Sequence, residues 1–334
     1  MSKIDLALKW RPKCFAEVVG QDAVISILSR QIATGTWKNA YLFSGAYGNG
    51  KTTCARIFAN TINNGEGSPI EIDGASHNGV DDIRALISMV QQSSLDCKYN
   101  VIIVDEAHMI TTQGWNAALK LIEEPPANTV FIFCTTNPEK LPQTILSRLQ
   151  RFDFKRISPK IIADRLEFIL NEEQTGCTYE RSALDRIAVL ADGHVRDAVK
   201  LLDKCISNTD NLSLENIETL LGLIKSDSMI TIINGIARKN LEACLTELEH
   251  VCSANSDMLR FMDSLISFAI DCAIYAKLGT NEHTNIPDGM KTLLSVDKEI
   301  CALLVKRFVE YRKYADMSNA EVLIKSIIVE MCDK

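Results

Sequence analysis

Eight residues, Gly45-Ala46-Tyr47-Gly48-Asn49-Gly50-Lys51-Thr52, fit the spacing G-x-x-x-x-G-K-[ST], an arrangement that wraps a chain around a polyphosphate. The glycines let the backbone turn its N–H groups toward phosphate oxygens, and the following helix adds the positive end of its dipole. Lys51 is expected to reach the β and γ oxygens, and the Thr52 hydroxyl to bind Mg2+. Gly45, Gly48, Asn49, Gly50, Lys51, Thr52 and Thr53 are thus the expected core of a nucleotide site. Downstream, the apolar run Val101-Ile102-Ile103-Val104 leads into Asp105-Glu106. A buried strand ending in two carboxylates delivers them where α/β sheets place ligands. Asp105 would hold the Mg2+ ion with its water shell, and Glu106 would orient or deprotonate an attacking water. The plain alternative is that the two carboxylates only cap the next helix. The chemistry expected is hydrolysis of ATP.

These residues need a parallel sheet to hold them. Short apolar runs alternate with helical patterns through the first half of the chain, as in a sheet with crossover helices. Strands are expected at Tyr41–Ser44, Ile70–Asp73, Val101–Asp105, Val130–Thr135 and Phe152–Phe154. Helical spacing covers Thr53–Thr61 and Val80–Gln91. In the second of these, Val80, Ile83, Leu86, Ile87 and Val90 share a face behind Asn78, with Asp81 three residues later, the pattern of a capped helix start. After Ser158-Pro159 strand signals stop. Helices follow at Lys160–Asn171, Glu180–Ala191, Val195–Ser207 and Leu214–Leu221, then longer amphipathic patterns such as Met258–Ala276 and Ile300–Tyr314, with a polar break at Gly279–Asp288. The fold expected is an α/β P-loop ATPase domain with a five-stranded parallel sheet over residues 1–157. A small helical lid at 158–223 and an all-α domain at 224–334 complete it.

Composition excludes several classes. With 46% hydrophobic and 24% charged residues and 8 prolines, the chain reads as globular rather than disordered. No apolar run reaches bilayer length, and Lys3, Asp5 and Lys9 interrupt any signal-like start. A cytoplasmic protein without a membrane partner is expected. The 11 cysteines are scattered with no C-x-x-C pair, so free thiols in a reducing compartment are expected. A net charge of −7 argues against a uniformly basic nucleic-acid coat, but a ring of subunits can still present a few cations to an enclosed duplex.

Asp105-Glu106-Ala107-His108 also matches the name motif of DEAH helicases. Those need a second motor domain with its own arginine motif, which the helical pattern after residue 158 does not provide. Leu119-Lys-Leu-Ile-Glu-Glu-Pro-Pro126, Thr135-Thr-Asn-Pro-Glu-Lys-Leu-Pro142 and Ile145-Leu-Ser-Arg148 follow in order. With Lys9-Trp-Arg-Pro12 and Phe15-Ala-Glu-Val-Val-Gly-Gln21, the series resembles the gamma/tau subunit of bacterial DNA polymerase III, an AAA+ clamp loader ATPase, over residues 5 to about 225.

The resemblance implies roles position by position. Arg11, Pro12 and Val18 would lie near the base. Thr136 matches sensor 1, which touches the γ-phosphate or the water, and Arg196 of Gly193-His-Val-Arg-Asp-Ala matches sensor 2 on the lid. Arg148 matches an arginine that acts in trans on a neighbour's ATP. Surface ion pairing is the plain alternative for both arginines, and a strand-end hydroxyl for Thr136. His77, His108 and His194 are expected as solvated or helix-surface residues.

The implied function is ATP-dependent opening of a sliding clamp and its placement on primer-template DNA during replication. Hydrolysis would release the clamp. The implied partners are the clamp, the DNA, other loader subunits in a homo- or hetero-oligomer of five, and a DNA polymerase. Duplex phosphates are expected at the helix start near Gly79. A structural nucleotide-binding scaffold and another AAA+ motor are the competing classes. The intact Lys51, Thr52, Asp105 and Glu106 weigh against the scaffold, and the Glu-Glu-Pro-Pro to Ser-Arg run against the other motors.

Two departures stand out. The cellular family's four-cysteine zinc module is replaced by the short link at 59–69, so no zinc is expected, and a compact variant of viral or plasmid origin is suggested. Leu149 stands where the family has cysteine after the arginine. The length suggests the family's short form.

Overall fold

Apolar segments of four to seven residues form a single five-stranded parallel sheet. The computed structural model of the chain describes residues 5–92, 97–173, 176–221, 226–253, 257–279, 284 and 298–333. The chain divides into two compact units, residues 1–175 with 184–204, and residues 176–183 with 205–334. This division cuts through the segment expected as a lid.

The first unit begins with α1 (Leu6–Lys9) and α2 (Asp22–Thr34). Then β1 (Ala40–Gly45), α3 (Lys51–Ile62), β2 (Ile70–Asp73), α4 (Val80–Gln92), β3 (Asn100–Asp105), α5 (Thr112–Glu123), β4 (Thr129–Thr135), α6 (Gln143–Leu146) and β5 (Gln150–Phe154) follow. Helix α7 (Pro159–Glu173) and most of α8 (Arg181–Leu190) and α9 (Val195–Ile206) complete it. The strand order is β2-β3-β4-β1-β5, all parallel, so β1 sits inside the sheet with β4 on one side and β5 on the other.

Alternation of side chains decides which face each strand residue fills. Leu42, Ile102, Val104, Phe131 and Phe133 pack with Trp115, Leu121 and Ile122 of α5 on one face. Tyr41, Phe43, Val101, Ile103 and Ile132 pack with Cys54, Phe58 and Ile62 of α3 and Leu28 of α2 on the other. Each such fully buried aliphatic or aromatic side chain stabilises by roughly 1.5–3 kcal/mol. The strand ends that carry the chemistry therefore rest on a rigid two-sided core.

All five expected strands are present, extended by up to two residues. The start of α4 differs in its cap. The Gly79 N–H donates to Asp82 Oδ2 at 3.0 Å, and the Asn78 carbonyl instead accepts from Thr111. The side chains of Leu86, Ile87 and Val90 lie outside the described residues, as does most of the polar break at 279–288.

The second unit contains a strand pair that no sequence pattern announced, β6 (Thr178–Tyr179) with β7 (Asn211–Leu212), parallel and two residues long. Helices α10 (Leu214–Leu220), α11 (Ser226–Ala237), α12 (Leu241–Ser253), α13 (Met258–Leu278), α14 (Lys298–Arg312) and α15 (Ala320–Asp333) follow. Ile232, Leu248, Phe261, Leu265, Leu304, Phe308, Ile324 and Ile328 form its core. No helix among the described residues is long and apolar enough to cross a membrane.

Candidate functional site

The C-terminal ends of β1, β3 and β4 lie side by side, with Ser44 opposite Thr135 and Val104 opposite Phe133 in the strand registers. That register brings Gly45, Asp105 and Thr135 to one edge of the sheet. A cavity of about 350 Å³ opens there.

The loop from Gly45 to Gly50 needs glycine at its first position. Gly45 has φ 149°, and a Cβ on it would stand 2.3 Å from the Phe154 carbonyl oxygen on β5. The loop thus begins with its backbone packed against the end of the neighbouring strand. Lys51 opens α3 and is buried, with Nζ donating to the carbonyls of Gly45 at 2.8 Å and Ala46 at 2.9 Å. Burial pulls its ammonium below the ordinary lysine value, and Glu106 and Asp105 act in the opposite direction. A phosphate would offer that cation better partners than two carbonyls.

Thr52 donates its hydroxyl to Asp105 Oδ2 at 2.7 Å. This pairs a hydroxyl oxygen and a carboxylate oxygen at the mouth of a cradle that also holds Lys51. Oxygen donors of this kind fit a hard divalent cation such as Mg2+. Glu106 follows in the left-handed region at φ 45°, which turns its side chain away from the strand direction. Its Oε2 lies 3.3 Å from the Thr136 hydroxyl and 3.3 Å from His108 Nδ1. His108 Nδ1 is also 3.2 Å from Thr135 Oγ1, and the same Thr135 oxygen accepts the Asn137 N–H at 3.1 Å. His108 therefore lies beside the glutamate and shares a hydrogen bond with Thr135, with a side chain only 12% exposed, on a short helical turn rather than free in solvent.

Around the cavity stand Arg11, Pro12, Val18, Gly48, Asn49, Gly50, Lys51, Thr52, Thr53, Asp105, Glu106 and Arg196. Arg11 Nε donates to Thr53 Oγ1 at 3.1 Å, and burial, then the charge of Arg56, lowers its guanidinium from the usual value. Gly45 supports the loop from behind and Thr136 reaches the site only through Glu106; neither lines the cavity.

Arg148 is elsewhere. Its Nε and Nη2 both meet Glu123 Oε1 at 2.6 Å, its Nη1 donates to the Thr144 carbonyl at 2.7 Å, and it lines a separate cavity with Asn39 and Ala40. Ala40 begins β1 and the phosphate loop follows its end, so one strand length separates Arg148 from Lys51.

Sequence reasoning missed several lining or bracing residues. Tyr47 occupies a variable position of the loop motif, where the pattern carries no signal. Buried Gln21 donates to the Lys155 carbonyl at 2.8 Å and accepts the Lys155 N–H at 3.2 Å, while Asn49 Nδ2 donates to the same carbonyl at 3.0 Å. Ile157, Val195 and Val199 add an apolar wall. At the start of α4, exposed Asp81 and Asp82 occupy the first turn, which works against a duplex phosphate docking there.

Two family models match the chain. One, described as DNA polymerase III, delta subunit, covers residues 62–158, and the other, DNA polymerase III clamp loader subunit, ATPase lid domain, covers 161–211. The DNA polymerase III subunit tau of Bacillus subtilis is 36% identical over 288 residues, covering 80% of this chain and 51% of that protein. The subunit gamma/tau of Mycoplasma genitalium is 34% identical over 350 residues, 96% of this chain and 58% of the relative. The tau subunit of Escherichia coli is 38% identical over 264 residues, 72% and 41%. The chain thus spans about half the length of the curated relatives it matches. Among solved structures, the RuvB Holliday junction branch migration motor of Thermotoga maritima superposes with a TM-score of 0.54 at 19% identity, covering 68% of this chain and 79% of that one. The five-stranded sheet with its following helices is therefore an AAA+ fold.

Proposed function

The chain is a relative of the gamma and tau subunits of bacterial DNA polymerase III, and from that premise we propose that it is the ATP-hydrolysing subunit of a sliding-clamp loader. It opens a clamp, places it on primer-template DNA and releases it when ATP is hydrolysed. The clamp, the primed DNA, companion subunits in a five-membered assembly and a DNA polymerase are its partners. Residues 1–157 act as the ATPase domain, 158–223 as the lid, and 224–334 as the oligomerising collar.

The observation that carries this reading is the separation of Arg148 from Lys51. A six-residue strand spans roughly 17–20 Å, and the two side chains belong to opposite ends of β1. A guanidinium so far from its own phosphate loop suits a neighbour's site, which makes turnover depend on assembly. Within one chain, Lys51 binds and orients the terminal phosphates, and Glu106 takes the proton of the attacking water while Thr136 and His108 hold its carboxylate. Thr52 and Asp105 would hold Mg2+, which when bound supplies charge neutralisation at the phosphates. Arg11, Pro12 and Val18 face the base, and Arg196 reads the γ-phosphate from the lid. Contacts to a γ-phosphate that exist only in the tightened assembly shift its equilibrium by their differential binding energy, so hydrolysis loosens it.

The test is ATPase activity measured alone, with a clamp, with primed DNA, and with both. A loader reaches full stimulation only with both present. Equal turnover under all four conditions would count against the reading and favour a different AAA+ motor; no turnover under any would favour a nucleotide-binding scaffold.

A further inference from the structure

Three consecutive residues of the phosphate loop meet the start of α9. Asn49 Oδ1 lies 3.2 Å from His194 Nδ1. Gly48, at φ 77°, leaves room for the His194 and Arg196 side chains, whose Cβ atoms would stand 3.3 and 3.7 Å from a Cβ built on it. Tyr47 accepts a hydrogen bond from Arg196 Nη1 on its hydroxyl at 2.9 Å, and the guanidinium lies 5.7 Å from the centroid of its ring.

The Tyr47 contact differs in kind from the other two. Asn49 is buried and anchored to Lys155 as well, so it serves the loop itself. Tyr47 is 50% exposed, so burial of the ring does not account for its placement. Its ring face and its hydroxyl both serve one guanidinium. That leaves Nε and Nη2 of Arg196 without a protein acceptor among the described residues, on a side chain that lines the nucleotide cavity. A planar guanidinium fixed along one edge can offer the other to two phosphate oxygens. An arginine already held this way loses less rotamer freedom when the phosphate arrives than one free in solvent.

We propose that Tyr47 is a positioning residue that presents Arg196 to the nucleotide and thereby sets how strongly the site prefers a nucleoside triphosphate to a diphosphate. The inference rests on the reading of Arg196 as the residue that senses the γ-phosphate. It assigns to a variable position of the loop motif a role that the motif does not carry. The Tyr47 ring supplies cation–π attraction and its hydroxyl the orientation, so the two parts can be removed one at a time.

Affinities for ATPγS and ADP are measured calorimetrically on the full chain in its assembly, for the wild type, Tyr47→Phe, Tyr47→Ala, Arg196→Ala and the double variant. The expected loss in the ATPγS-to-ADP affinity ratio is about threefold for Tyr47→Phe and about tenfold for Tyr47→Ala. Arg196→Ala should lose at least as much, and adding Tyr47→Ala to it should cost nothing further. If Arg196→Ala lowers the ratio but Tyr47→Ala weakens both nucleotides equally, or weakens binding as much without Arg196 as with it, Tyr47 is a structural loop residue and the inference is overturned alone. If Arg196→Ala leaves the ratio unchanged, the sensing role of Arg196 fails and the inference falls with it.

Discussion

The Thr52 hydroxyl donates to Asp105 Oδ2 at 2.7 Å, joining the first turn of α3 to the end of β3. Two side chains 53 positions apart thus present adjacent oxygens beside Lys51. If this pair holds Mg2+, chelating the metal should weaken ATP binding by the wild type at least tenfold, an effect of ~1.4 kcal/mol. Thr52→Ala and Asp105→Asn should bind ATP with nearly the same weak affinity whether or not metal is present. Calorimetry with and without EDTA checks this, and a full metal effect retained by both variants would remove the pair from the metal site.

Lys51 and Glu106 should separate binding from turnover. Lys51→Ala removes the one buried ammonium among the loop residues and is expected to weaken ATP binding more than about 100-fold. Glu106→Gln keeps the size of the side chain and its contact with Thr136, so it should bind ATP normally and hydrolyse it roughly 10²–10⁴-fold more slowly. Burial also sets a pH limit on binding. The Lys51 amine titrates below the ordinary 10.5 in the free chain, so affinity that depends on its charge is complete below that lowered pKa and declines as pH rises through it. Affinity that stays flat to pH 10.5 would show that the ammonium contributes little.

Gly45 should be the least replaceable glycine of the loop. Alanine there meets both an unfavourable φ of 149° and the Phe154 carbonyl at 2.3 Å, a backbone atom that cannot move without breaking the β1–β5 pairing. The expected cost is about 3 kcal/mol, lowering the melting temperature by roughly 5–10 °C. Alanine at Gly35, whose Cβ would meet nothing within 4 Å, shares only the positive φ and should cost less. Equal melting temperatures for the two variants would contradict the clash.

Much of this site could be read from residue order because its parts are local. The loop from Gly45 to Thr52 and the run into Asp105-Glu106 each carry their own spacing, and the strands that hold them have apolar, buried centres. What could not be read depends on contacts between distant segments. Gln21 braces the loop through Lys155, a partner 134 residues away, and His108 meets Glu106 because a left-handed turn at the glutamate folds the chain back. Tyr47 was hidden by a motif that assigns its position no chemistry. The cap of α4 lies one residue further on, where the Gly79 N–H donates to Asp82, while the Asn78 carbonyl accepts from Thr111, 33 residues away. The β6–β7 pair is two residues per strand, too short to leave a period-2 pattern.

Arg148 provides the sharpest test of a shared catalytic site. In one chain it is held by Glu123 and the Thr144 carbonyl at the opposite end of β1 from the phosphate loop. Arg148→Ala should therefore leave ATP affinity unchanged while stimulated turnover falls by about 10³-fold or more. If the defect lies in what a chain gives its neighbour, it can be complemented. Lys51→Ala chains carry an intact Arg148 and no working loop, and Arg148→Ala chains carry the reverse. Assemblies reconstituted from a mixture of the two should hydrolyse ATP measurably where neither variant does alone, since some interfaces then combine a working loop with a working arginine. Turnover in the mixture no greater than the sum of the separate variants, in assemblies shown to contain both, would place the action of Arg148 within its own chain or outside catalysis.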